Sequence, residues 1–591
     1  LKQASRFDCS GMLLPPILVV VALVRQVHAC VDFPAWADIN RLSCGEYVLR
    51  QFCTSNGTVG PGWGIDIDSL AIFAIDGVSA TTACCGCGGG SSSACVHNID
   101  QTCYLRSQTD VDRLGGLLAL LRPTMIGALH ISADVEDLQQ LRLENHSMYV
   151  QSLHLDGLAR LASLNGMDFI TALGQDKDGV SLAISDNAEL KSLEALSTLR
   201  GQLSGSVSIT SNDKLVSLRG LEGIESIGRD IGDDSLRVSR NLVLRSLDGL
   251  SAVRGKLLGA LTIDRNPQLV SLQGLEGIEG LGANAAGNSL YLVYNDVLQS
   301  IEALSAVQGE LPGSMIINYN PQLSSLRGLE GVEALDANAQ GDSLYLKANT
   351  QLVSIEALSG VRGKLPGSLC VVANPKLTSL HGLEGVEGVG ANINGNSLYL
   401  VSNTALQSIK ALSAVNGSTI GALTIRKNPS LATLDGLQGV EGLGTNSAGN
   451  SLHLSSNIAL QSIKALSGIR GAFTGALTIT DNPSLTTLDG LQGVEGLGEN
   501  TAGFSLLLSS NIALQSIQAL SGIRGSFPGS LSITDNPNLT TLDGLQGVEG
   551  LGENDAGNSL YLSSNIALQS IQALSGIRGA FTGALTISDN P

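Results

Sequence analysis

The segment Ser397-Leu-Tyr-Leu-Val-Ser-Asn403 alternates apolar and polar side chains and then stops at an amide. A period of two marks a half-buried strand, here with Leu398 and Leu400 facing inward and Tyr399 outward. The residues that follow, Ala405-Leu-Gln-Ser-Ile409-Lys-Ala-Leu412, keep apolar groups at short intervals, as a second inward edge would, and glycine-rich corners come next. No run with a helical period fits between these signals. One coil of this kind cannot bury its own leucine edge, so the segment predicts a stack of coils rather than a globule.

The rest of the chain supplies the stack. Ser-Leu-x-Leu-like segments begin at Ser181, Ser235, Ser289, Ser343, Ser397, Ser451, Ser505 and Ser559, each 54 residues after the last. A second series begins at Gly205, Gly259, Gly313, Gly367, Gly421, Gly475, Gly529 and Gly583 on the same 54-residue interval. An Asn marks each half-unit, from Asn187, Asn212 and Asn241 through to Asn565 and Asn590, at spacings that alternate between 25 and 29 residues. The expected fold is therefore mainly β: a leucine-rich-repeat-like solenoid of about sixteen coils built on a 54-residue double repeat. Each tight corner leaves backbone groups that sheet ladders cannot satisfy. An inward Asn, both donor and acceptor, can bond them and stack on its counterpart in the next coil.

Composition agrees. Hydrophobic residues reach 43% with only 3% aromatics and 71 glycines, which suits stacked aliphatic edges with glycine corners. The net charge of −19 argues against nucleic acid and against an anionic membrane surface as partners. Residues 11–24 form an apolar run too short for a membrane span, preceded by Lys2 and Arg6 and followed by Val27-His28-Ala29, which fits a signal peptide at 1–29 cleaved before Cys30.

Cys30, Cys44, Cys53, Cys84, Cys85, Cys87, Cys95 and Cys103 then crowd residues 30–110, and a disulfide-rich region of open connectivity is expected there. Zinc is disfavoured, because Cys84-Cys85-Gly-Cys87 lacks the usual ligand spacing. Sequons at Asn56, Asn145, Asn416 and Asn538 fit a secretory route, and the expected localisation is secreted or cell surface. Residues 111–180 are read as divergent capping coils and 181–591 as the repeat solenoid. The array stops in mid-coil at Asn590-Pro591, so its C-terminus is expected to be missing. Membrane attachment could then come only through that missing end or an uncleaved N-terminal segment.

The phrase Leu-x-Leu-x-x-Asn-x-x-Leu-x-Ser-Leu/Ile-x-x-Leu, as at Leu290 to Leu304, resembles the coils of receptor L-domains. These are the ligand-binding solenoids of insulin- and EGF-receptor ectodomains, also seen in fungal GPI-anchored cell-wall proteins. Asn266-Pro-Gln-Leu269 carries the same likeness, with Leu three residues after the Asn rather than the two of ordinary leucine-rich repeats. The resemblance implies a right-handed winding and a recognition role. It transfers no binding residue, because the shared motif describes the scaffold. This array is also far longer and more regular than a receptor L-domain, and its cysteine-rich part comes first.

No catalytic, cofactor or metal site is legible. The seven His residues (His28, His97, His130, His146, His154, His381 and His453) form no His-Glu-x-x-His pattern or evident triad, and Gly280-Leu-Gly282 recurs as a corner. Two periodic surfaces remain. A Glu ribbon, Glu225, Glu279, Glu333, Glu387, Glu441, Glu495 and Glu549, reads as a solvated edge, since calcium needs more oxygens than single residues supply. The other is the outward strand column, which contains Arg237, Tyr291, Tyr345, Cys370, Tyr399, His453 and Tyr561. Exposed Tyr at every second coil would suit a glycan or protein ligand.

Arg237, Tyr291, Tyr345, Lys347, Tyr399, His453 and Tyr561 are therefore the candidate binding face. Cys370 is read as drift of a Thr-like position, with a free thiol or intermolecular bridge as alternatives. The expected function is non-catalytic extracellular recognition or adhesion, binding an extracellular protein or glycan. A structural wall or matrix scaffold is the alternative, and the ectodomain of a receptor enzyme continuing beyond Pro591 is a remote one.

Overall fold

The computed structural model describes residues 41–42, 44–53, 102–418, 421–579 and 581–591. The run at 11–24, Cys30, Cys84, Cys85, Cys87, Cys95 and Asn56 lie outside them. The described residues fall into two compact units, one ending at Glu279 and the other spanning Gly280–Pro591.

The protein is a parallel β-solenoid of about nineteen turns with little helix. Seven sheet strands belong to the first unit, from Cys103–Ser107 to Ala260–Asp264. Twelve belong to the second, from Asn288–Val293 to Ala584–Ser588. Strands stand at all sixteen positions that the 54-residue phase predicts, and Cys103–Ser107, Leu129–Asp134 and Leu153–Asp156 precede them. One element inside residues 102–126 was not anticipated. Gln108–Leu121 is an α-helix, started by Ser107 and Asp110 in a reciprocal capping box. Its Val111, Leu114, Leu117 and Leu118 are buried.

A single turn shows why these residues form these elements. The strand Asn396–Val401 pairs in parallel with Ala422–Arg426, setting Leu398 against Leu423, Tyr399 against Thr424 and Leu400 against Ile425. After the corner at Asn403, Leu406, Ile409, Leu412 and Val415 all point into the core around one 3-10 turn, Lys410–Ala414. A short third strand, Asn416–Ser418, pairs with Gly439–Gly442. Apart from the buried Ser397 and Asn403, the inward positions are aliphatic, and each fully buried Leu contributes about 2 kcal/mol. Gly421 is required where the second half-coil begins. A Cβ there would sit 2.2 Å from the Gly395 carbonyl oxygen, and the Gly421 N–H instead donates to the buried Ser397 Oγ at 2.9 Å.

The asparagine ladder forms as expected. The N–H of Asn349 donates to Asn374 Oδ1 at 3.0 Å, that of Asn374 to Asn403 Oδ1 at 3.1 Å, and that of Asn403 to Asn428 Oδ1 at 3.0 Å. Each Nδ2 donates back to a strand carbonyl, as Asn374 does to Leu346 at 3.0 Å. The residue just before the Asn turns the corner in the left-handed region even when bulky, as at Tyr294 (φ 60) and Tyr319 (φ 57).

Replacing Asn374 by Ala leaves the buried Asn349 N–H and Leu346 carbonyl without partners, a loss of about 3 kcal/mol of local stability. Native-state hydrogen exchange should show the drop in the strands Asp342–Lys347 and Asn396–Val401. Unchanged protection there would mean the ladder is dispensable.

Candidate ligand-binding face

The outward strand column exists, but most of it is not exposed. Tyr345 is 4% exposed, Cys370 0% and Tyr399 6%, and Thr262, Ile316, Thr424, Thr478 and Ser532 are buried as well. Arg237, Tyr291, His453 and Tyr561 are half-buried. The expected row of open tyrosines is thus corrected.

Beside the column runs a feature that the sequence shows only as glycine-rich corners. In six of the eight units the loop before the longer strand is an Asn-x-x-Gly turn that folds along one side of the column, and Asp176 and Asp230 take the place of the Asn in the first two. Asn446 Oδ1 accepts from the N–H groups of Ala448 and Asn450, closing the turn on itself. Successive loops then hydrogen-bond to each other. The Ala339 N–H donates to the Ala286 carbonyl, Ile393 to Gln340, Ser447 to Asn394, Thr501 to Ala448 and Asp555 to Ala502. The result is a second amide ladder with a 54-residue period, a ridge beside the sheet. Asn392 Nδ2 reaches Asp342 Oδ1 at 3.0 Å, and Asn446 Nδ2 reaches Asn396 Oδ1 at 3.2 Å. The Thr residues of the column serve this network, Thr424 Oγ1 donating to Asn396 Oδ1 at 2.9 Å and Thr478 Oγ1 to Asn450 Oδ1 at 2.8 Å. A 54-residue recurrence of Asn four residues ahead of the strand was the available signal.

The remaining predicted residues have specific surroundings. Arg237 pairs with Asp234. The rings of Tyr294 and Tyr319 stack at 4.5 Å, and Lys347 Nζ lies 5.0 Å from the Tyr319 ring centre. Burial brings the Lys347 ammonium down to about 8. Val293, Ile316, Tyr345, Cys370, Val372 and Tyr399 form an apolar cluster on this outer side of the sheet. None of the described cysteines, Cys44, Cys53, Cys103 and Cys370, is free, which removes the free-thiol alternative for Cys370.

Further along the second unit the face opens into a groove lined by Asn394, Asn396, Tyr399, Thr424, Arg426, His453 and the ridge residues Asn446, Ser447, Asn450 and Thr501. Arg426 Nε donates to Ser455 Oγ at 2.9 Å. Burial, with a smaller contribution from the Arg426 charge, lowers the His453 imidazole to about 3, so it is neutral in the folded protein. Burial raises the Tyr399 phenol, against a smaller opposing effect of Arg426.

In the first unit, strand register brings together residues that looked scattered. Tyr104, His130 and His154 share the outward column on adjacent strands, with ring centres 5.4 and 5.2 Å apart. His154 Nε2 is 2.9 Å from Asp176 Oδ2 on the first ridge loop. Burial, then the neighbouring His154, lowers the His130 imidazole. Burial works to raise the Asp176 carboxyl, but the His154 contact and the Val180 and Asp178 N–H groups outweigh it and hold the group low.

The Glu ribbon is exposed throughout, on the short third strands and at their edges. Asn145, Asn416 and Asn538 are exposed too. Among the described residues, no group of three or more metal-ligating side chains could hold an ion, and no helix is long and apolar enough to cross a membrane. No protein-family model and no curated protein matches the chain.

The buried neutral state of His453 sets a pH dependence. Its folded pKa lies below the unfolded value near 6.5, so the unfolded chain takes up a proton first as pH falls. Stability should decline from about pH 6.5 towards pH 3, and His453→Gln should flatten that decline relative to pH 7.5. Urea midpoints across this range provide the check. An identical slope in the variant would show that His453 protonates freely in the folded state.

Proposed function

We propose that the chain is an extracellular, non-catalytic recognition or adhesion protein, a right-handed solenoid of the receptor L-domain kind that binds a glycan or protein ligand along its sheet face. The observation that supports this reading is the groove between the sheet column and the asparagine ridge. Elsewhere the face closes on itself through Tyr, Thr and Asn packing. At Arg426, Ser447 and His453 it presents guanidinium, hydroxyl and neutral imidazole groups together. Solenoids bind along surfaces that their stacking makes continuous. A ligand here would meet side chains from several successive turns.

A structural wall or matrix component is the second reading. The late units favour it, since Asp435-Gly-Leu-Gln-Gly-Val-Glu441 and Asp489-Gly-Leu-Gln-Gly-Val-Glu495 are identical. In that reading the two amide ladders provide stiffness and the face has no ligand. Secretion, N-glycosylation at Asn145, Asn416 and Asn538, and disulfides in the 30–110 region belong to either reading.

Screening the purified chain against glycan and cell-surface protein arrays separates the two. The recognition reading expects a ligand whose binding is lost on substituting the face residues Ser447 and His453 with Ala together. The same ligand should be retained when Glu441 and Glu495 become Gln. Absence of any ligand, or equal loss from both variant pairs, would favour the scaffold.

A further inference from the structure

Position 234 of the repeat offers an internal comparison along the face. It recurs every 54 residues as Asn288, Asp342, Asn396, Asn450, Phe504 and Asn558. Where it is Asp234 it neutralises a cation from within the protein, pairing with Arg237. Around Arg426 the two flanking copies are amides instead, Asn396 and Asn450. Arg426 therefore stands half-buried with a neutral hydroxyl, Ser455 Oγ, as its side-chain partner and no carboxylate paired with it among the described residues. It leaves a local positive site in an otherwise acidic protein.

Resting on the recognition reading above, we propose that this groove is a subsite for an acidic saccharide, with the sugar carboxylate on the Arg426 guanidinium. The planar guanidinium matches a carboxylate in a two-point contact, which is stronger and more directional than a neutral hydrogen bond. Ser447, Thr501 and His453 in its lining supply hydroxyl and imidazole groups. Such groups both donate and accept, as the hydroxyls of a sugar ring require. A protein ligand would need a larger apolar anchor than this polar groove presents.

Calorimetric titration of the full chain with a trigalacturonate, with the neutral galactose trimer, and with acetate tests the assignment. The trigalacturonate should bind, and the neutral trimer and acetate should each bind at least about tenfold more weakly. Arg426→Ala should weaken trigalacturonate by about tenfold or more, and Arg426→Lys by less, because it keeps charge without the fork. Asn396→Asp, which restores the acid found at Asp342, should weaken it comparably while removing no arginine contact.

Circular dichroism of each variant checks that the fold is retained. No binding of trigalacturonate at millimolar concentration overturns the subsite, as does unaltered affinity in Arg426→Ala and Asn396→Asp. Acetate as tight as trigalacturonate also overturns it, reducing the groove to a plain anion site. A neutral sugar or a protein that binds the face, unaffected by Arg426→Ala, overturns the subsite and leaves the recognition reading standing.

Discussion

Each of the sixteen turns from Ser181 onward depends on solving one problem, the unsatisfied backbone at the corner that follows its sheet strand. The chain leaves the strand through a left-handed residue, and the Asn that comes next accepts from the N–H of the equivalent Asn one turn earlier. Left-handed backbone at Tyr294 or Ser402 is unfavourable in isolation. It persists because a buried amide that lost its partners would cost more. The leucine edges add the larger share of the stability, but they are interchangeable aliphatic surface. Register comes from the amides, since a slip of one residue would break every rung.

The ridge repeats this solution on the outside of the sheet. Its Asn-x-x-Gly turns satisfy their own N–H groups through one side chain and bond to the next ridge loop through the backbone. Thr424 and Thr478 in the column become its hydrogen-bond donors, and Tyr345 and Tyr399 on the same face are buried. A face built from repeats is closed wherever the repeats agree. Arg426 is one point where they differ, standing where the neighbouring repeats carry Val372 and Thr480.

The same logic explains the first unit. Tyr104, His130 and His154 are separated by about two dozen residues each, and no local motif joins them. Parallel register does, since Cys103 pairs with Leu129 and Leu129 with Leu153. The helix Gln108–Leu121 went unnoticed for a related reason. Its capping box at Ser107 and Asp110 is a clear local signal, but it lies where cysteine spacing and broken repeat phase drew attention elsewhere.

By itself the sequence determined the strand period, the 54-residue unit, the inward leucines and the ladder asparagines, because each of these is a local pattern that stacking merely repeats. It also determined which residues leave the sheet outward. The fate of those outward residues was settled only by tertiary structure. Whether Tyr399 is open or covered depends on the residues packed against it in space, and whether Arg426 is neutralised depends on side chains tens of residues away. Exposure and charge pairing are properties of neighbours in space, and in a solenoid the neighbours are always one coil distant.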